Sequence, residues 1–158
     1  MKKVIYKSAE IREEIGRLFS SSKGRRVAVV AFVGDGAEEY VRKPEGLHIY
    51  CWPKEGGTNP NALRKLIRLG AKVHFADSLH MKVYWTEDRG AIITSANLCT
   101  NALGSGDLKE IGVRLKLATS RRPSAWTPGF GVRSERRPAS MASTGSRGRR
   151  VRGRRPGW

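Results

Sequence analysis

Cysteine, histidine and acidic residues are scarce in this sequence, and long apolar runs are missing altogether. The 158 residues hold two cysteines, Cys51 and Cys99, far apart in the chain. That excludes the disulfide framework of a small secreted domain, and two reduced thiols are expected. The three histidines, His48, His74 and His80, show with the cysteines none of the paired spacing that zinc sites use. Neither a metal nor a cofactor is expected. No apolar run approaches the roughly 18–20 residues that cross a bilayer. The start, from Met1 to Lys7, is basic and leads into an amphipathic stretch rather than an apolar signal core. Secretion by the standard route is therefore not expected, a cytoplasmic location is, and a membrane is a poor candidate partner. Acids number 14 against 31 lysines and arginines, a net charge of +17. Such an excess attracts polyanions, nucleic acid first and acidic membranes second.

The charge is unevenly spread. From Lys116 to Trp158 there are twelve basic residues and one acid, Glu135, giving +11 and leaving +6 on the first 115 residues. The composition shifts at the same place. After about Ser120 the chain is rich in Arg, Gly, Ser and Pro and carries no helical or strand periodicity. It cannot bury enough apolar surface to offset its ordering entropy. The expected organisation is a folded domain over 1–118 and a disordered basic tail over 119–158. The tail reads equally as a sequence-nonspecific nucleic-acid arm and as a solvated end with no role.

Within the domain, apolar Ile11, Ile15, Leu18 and Phe19 share one face of a helix over about 9–22, with Ser8 as its cap. The run Val27 to Val33 reads as a buried central strand that stops at Gly34-Asp35-Gly36. Glu39 stands where a dinucleotide fingerprint would need its third glycine, so a tight turn is expected there. A second strand covers Leu47 to Trp52. Asn59-Pro60 opens a helix, with Asn59 as cap and Pro60 first inside, ending near Gly70. Strands follow at about 72–75, 79–87, 90–95 and 110–117. Strands alternating with helices predict an α/β fold: a mixed, mostly parallel sheet flanked by helices as an α/β/α sandwich. The sequence has no internal repeat.

The chemistry concentrates in 80–98. On a strand, residues two apart share a face. His80, Lys82 and Tyr84 therefore point one way, and Met81, Val83 and Trp85 the other, toward a core. Lysine offers a fixed positive charge beside a histidine able to attack or to move protons near neutral pH. The next strand delivers Ser95 and Asn97 at its end, where a hydroxyl and an amide can donate to phosphoryl oxygens. His48 and His74 read as structural. Arg64, Lys65, Arg68 and Lys72 read first as a solvated helix face and second as a phosphate-facing patch.

With His80-x-Lys82, an acid beyond it, and Ser95-x-Asn97 at the end of the following strand, the sequence resembles the phospholipase D superfamily, over roughly 27–117. The family pattern is His-x-Lys, four residues, Asp, then a Gly-Ser-x-Asn-type segment. The similarity continues from Asn101-Ala102-Leu103-Gly104 to Glu110-Ile111-Gly112-Val113. Two positions depart. The aspartate falls on Glu87, with Asp88 one residue on, and the glycine before the serine is Thr94, whose Cβ is expected to crowd the phosphate.

The resemblance implies a metal-independent phosphodiesterase. Two His-Lys motifs meet at a twofold axis; one histidine forms a covalent phosphohistidine and the other acts as acid, then base. Lys82, Ser95 and Asn97 would bind the non-bridging oxygens, and Glu110 resembles the downstream acid that orients the nucleophilic histidine. With one motif per chain, a homodimer sharing one site is expected. The charge favours a nuclease acting on DNA or RNA. The alternatives are a lipid phosphodiesterase or phosphatidyltransferase, and a nucleic-acid-binding module that has lost turnover.

Overall fold

The computed structural model describes residues 2–104 and 108–117; the expected tail over 119–158 lies outside the described residues. Seven strands form one sheet: β1 (Lys2–Ile5), β2 (Arg26–Val30), β3 (His48–Cys51), β4 (Lys72–Phe75), β5 (Lys82–Thr86), β6 (Gly90–Thr94) and β7 (Gly112–Leu115). Their spatial order is β1-β7-β6-β5-β2-β3-β4. Four helices accompany them: α1 (Ser8–Ser21), α2 (Ala37–Tyr40), α3 (Pro60–Arg68) and α4 (Thr100–Leu103).

The α/β class and the mixed sheet are as expected, but parallel pairing does not predominate. Only β2–β3 and β3–β4 are parallel, while β1–β7, β7–β6, β6–β5 and β5–β2 are antiparallel. Parallel neighbours need a crossover, and only the connections carrying α2 and α3 supply one here. β5 and β6 are joined by the short turn Glu87–Arg89 and must run antiparallel.

The layering also differs from the expected sandwich. Buried side chains of all four helices gather in one core with Ala28, Val30, Ile49, Cys51, Tyr84 and Ile92 of the sheet. Among the described residues, every helix therefore packs on the same face. The opposite face holds a smaller cluster of Val27, Val29, Ala76, Leu79 and Trp85. A cross-strand row on that face runs through Val4, Val113, Ile93, Val83, Val29, Tyr50 and His74. The loop after β4 covers its middle with Ala76 and Leu79, but Val4 and Ile93 stay 47% and 48% exposed.

Several elements form for legible reasons. Asn59 caps α3, its side-chain oxygen accepting from the Asn61 amide at 2.8 Å, with Pro60 first inside. Ser8 is the first residue of α1 rather than its cap, and its hydroxyl donates to the Leu108 carbonyl at 3.3 Å. β2 ends at Val30 instead of Val33. Side chains take the next amides: the Asn97 side-chain oxygen accepts from Phe32 at 3.2 Å and the Thr58 hydroxyl from Val33 at 3.5 Å. The predicted turn after it is present, with Gly36 at φ 73°. Gly90 opens β6 at φ 96°, and a Cβ there would meet the Leu115 carbonyl oxygen at 2.1 Å. Only glycine fits that junction.

Candidate active site

His80 and Lys82 stand where the loop after β4 enters β5. Lys82 pairs across from Val30, so the site sits at the end of β2 where the chain leaves the sheet. His80 is exposed and Lys82 half-buried. The lysine Nζ lies 3.3 Å from the His80 Nε2 and 3.3 Å from the His80 carbonyl oxygen. An ammonium can only donate. In this contact Nε2 is therefore the acceptor.

β6 returns alongside β5 in the register Val83 opposite Ile93. This brings Ser95 and Asn97 back to the end of the hairpin that holds His80 and Lys82. Ser95 is exposed; its hydroxyl donates to the Glu110 carboxylate and accepts from the Ile111 amide at 3.0 Å. The Ser95 amide donates to the Ile111 carbonyl at 3.0 Å. Asn97 uses its side-chain oxygen to hold the Phe32 amide, which leaves its NH₂ group as the donor available to a ligand. Glu110 is thus in the site, and its hydrogen bond is to Ser95.

Tyr84 shares the face of Lys82 but packs beneath the site, fully buried, edge-on to Phe19 with ring centroids 6.2 Å apart. The expected sides of β5 hold, with a core on each: Tyr84 enters the larger core and Val83 and Trp85 the smaller one, while Met81 is exposed. The Tyr84 hydroxyl donates to the Ala96 carbonyl at 3.2 Å, between the two candidate phosphate ligands. Burial, then Cys99 and Glu110, push its phenol well above the ordinary range, so it stays a donor. Thr94 is buried too. Its hydroxyl donates to the Ile111 carbonyl at 2.6 Å and accepts from the Ala96 amide at 3.1 Å, so its side chain stabilises the turn into Ser95.

Glu87 and Asp88 are not brought to the site. They occupy the turn beyond the far end of β5, Glu87 five residues or about 17 Å from Lys82 and Asp88 one residue further on. Glu87 accepts from the Arg25 amide at 3.1 Å. Asp88 accepts from the Ser22 hydroxyl at 2.5 Å and the Lys23 amide at 3.0 Å. Both acids clamp the loop between α1 and β2. Burial works to raise the Asp88 carboxyl, but the bonds from Ser22, Lys23 and its own amide, with Arg89 nearby, hold it below its ordinary value. A depressed carboxylate contributes stability above its unfolded value and loses it as pH falls through the folded one. Asp88→Asn is expected to lower stability by about 1 kcal/mol at neutral pH. The gap to wild type should close below pH 3.8. Urea midpoints at the two pH values check this, and an unchanged gap would contradict it.

His48 and His74 lie on the opposite face of the sheet, at its β3–β4 edge. His48 Nδ1 lies 3.0 Å from His74 Nε2, the rings stack, and Tyr50 stacks on His74. Burial first, then His74, Lys72 and Arg25, lower His48 from its ordinary value. In the basic patch on and beside α3, Lys65 is paired with Glu38 at 2.8 Å, and Arg64 donates to Asn61 at 2.8 Å. Three features escaped the sequence reading: the Phe32–Asn97 bond, the Tyr84 strut and the acid clamp. The even spacing along β5 was the one signal that could have placed the clamp away from the site.

No family model and no curated protein matches the chain. Solved structures do, at 10–16% identity, and they share its α/β fold. NucT from Helicobacter pylori superposes with a TM-score of 0.57 at 12% identity, over 72% of this chain and 84% of that one. Nuc from Salmonella typhimurium, a phospholipase D family member, gives 0.52 at 16%, over 72% and 80%. Polyphosphate kinase from Porphyromonas gingivalis gives 0.54 at 10%, over 73% of this chain but only 21% of the kinase. No helix among the described residues is long and apolar enough to cross a membrane.

Proposed function

We propose that this chain is a phospholipase D-superfamily phosphodiesterase that cleaves DNA or RNA without a metal, as a homodimer in the cytoplasm. The observation that carries the reading is the His80–Lys82 contact at 3.3 Å, set at the hairpin end that also presents Ser95 and Asn97. The fold shared with two nucleases and the +17 charge support the choice of nucleic acid. On this reading the basic segment 119–158 adds nonspecific backbone contacts.

In the free site Lys82 covers the Nε2 lone pair. An arriving phosphodiester offers the ammonium a better, anionic acceptor, and Lys82 moves to a non-bridging oxygen. Nε2 is then free to attack. The new P–N bond forms as the P–O bond to the leaving group breaks, and His80 of a second copy, entering the step as the imidazolium, protonates the departing oxygen and is left neutral. Water then gives a proton to that second histidine and attacks phosphorus, breaking the P–N bond. The Asn97 NH₂ group and Lys82 steady the charge on the phosphoryl oxygens, and Ser95 joins them if its hydroxyl leaves Glu110.

The hydrogen bond between Ser95 and Glu110 favours a second reading, a binding module without turnover, because it commits one phosphate ligand and sets a carboxylate beside the anion site. Incubation with single-stranded DNA, RNA, plasmid and phosphatidylcholine vesicles in EDTA separates the readings. Cleavage of nucleic acid in EDTA is expected. Salt-sensitive binding without cleavage would favour the module, and hydrolysis of the lipid alone would make this a lipid phosphodiesterase.

A further inference from the structure

Beside the proposed catalytic end of the sheet lies a cavity of about 530 Å³, lined among others by Asp35, Thr58, Asn59, Cys99, Thr100 and Asn101. Three loops build it, those following β2, β3 and β6. The last is the loop that carries Ser95 and Asn97. The Cys99 amide donates to the Asn97 carbonyl at 3.1 Å, and the Gly34 amide to the Leu98 carbonyl at 2.9 Å. Two Cα steps separate Asn97 from Cys99, about 7 Å at most. A substrate whose phosphate meets Asn97 has its neighbouring groups within reach of the cavity lining at Cys99.

The wall is poorly suited to a second phosphate. Among the described residues it includes no lysine or arginine. Several of its backbone donors are spent within the protein: Thr58 on Lys54 at 3.1 Å, Asn59 on Val33 at 2.7 Å and Thr100 on Asp35 at 2.9 Å. Pro60 has no N–H, and Asn59 already takes that of Asn61. What the wall offers is an acceptor. Asp35 is exposed, its Oδ1 steadied by the Asn59 side-chain amide at 2.6 Å. A carboxylate accepts only, so the complementary ligand presents donors.

We infer that this cavity takes the base next to the scissile phosphate and that Asp35 makes guanine the preferred one. The inference rests on the nuclease reading. Guanine carries two adjacent donors on its pairing edge, the ring N1–H and the exocyclic amine, which a carboxylate can accept together. Adenine and cytosine set a ring lone pair beside their amine, and thymine or uracil flanks one N–H with two carbonyls. Asn101 is exposed on the same wall and supplies an NH₂ for the guanine carbonyl. The pairing edge must be free, so the substrate is single-stranded at that nucleotide. A two-point contact of this kind discriminates by about 10- to 100-fold.

Cys99 provides a probe that does not need turnover. Cys51 is fully buried and its thiol is pushed up to about 12, so maleimide labelling of the full chain reports on Cys99. Single-stranded oligonucleotides differing in one base are compared for cleavage by the wild type and for protection of Cys99 in His80→Ala. Guanine is expected to give about tenfold or more faster cleavage and the strongest protection. Both preferences should flatten in Asp35→Asn and weaken in Asn101→Ala. Equal rates and equal protection for all bases, or a preference unchanged in Asp35→Asn, would overturn the inference. Guanine-selective protection without cleavage would retain the base site and sink the nuclease reading. Cleavage without base selectivity would do the reverse, and neither cleavage nor protection would overturn both.

Discussion

His80→Ala is expected to lower metal-free cleavage on the order of 10⁴-fold or more while leaving the urea midpoint unchanged. The size follows from the proposed dimer, in which each shared site takes its nucleophile and its acid from the two copies of His80. One substitution removes both. Stability should be spared because His80 is exposed and its only side-chain hydrogen bond among the described residues is with Lys82. Added imidazole is expected to restore part of the rate, since the vacated space lies open to solvent. Rate, midpoint and rescue are read on one preparation. A variant that cleaves within tenfold of wild type would remove His80 from the chemistry.

Tyr84→Ala carries the largest expected effect on stability. The side chain is fully buried in the larger core against Phe19. Deleting a large buried aromatic costs about 3–5 kcal/mol, a fall of roughly 15 °C or more in Tm for a domain of this size. Tyr84→Phe separates packing from the hydrogen bond. It keeps the ring, leaves the buried Ala96 carbonyl without its 3.2 Å donor, and is expected to cost about 1–2 kcal/mol. Because Ala96 lies between Ser95 and Asn97, Tyr84→Phe should also reduce kcat in protein that remains folded. Thermal melts and cleavage rates of the two variants test this. A Phe variant with a wild-type melt and rate would show that the strut positions nothing.

Much of this was legible because some residues declare their local role. Asn59-Pro60 specifies a helix start whatever surrounds it, and the unbroken apolar run from Val27 specifies a central strand. The short turn between β5 and β6 fixed the hairpin that brings Ser95 and Asn97 back to His80 and Lys82. The misses have equally local causes. β1 buries only Ile5 and shows no alternation. α2 and α4 have four residues each, too few for a periodic stripe. β5 has bulky apolar residues on both faces, so alternation could sort Tyr84 from Trp85 without saying which enters the larger core. The cavity was illegible for a different reason. Asp35, Asn59 and Cys99 are scattered along the chain and meet only where the crossovers carrying α2 and α3 and the loop after β6 converge.

The covalent intermediate is the most direct test of the proposed function. Wild-type protein is mixed in EDTA with an oligonucleotide labelled so that the attacked phosphoryl fragment carries the label, and the reaction is stopped with denaturant. The expected result is label on His80, stable to alkali, lost in acid and absent from His80→Ala, as a phosphorus–nitrogen bond requires. Cleavage in EDTA with no label on His80 at any time, or label on another residue, would contradict nucleophilic attack by this histidine.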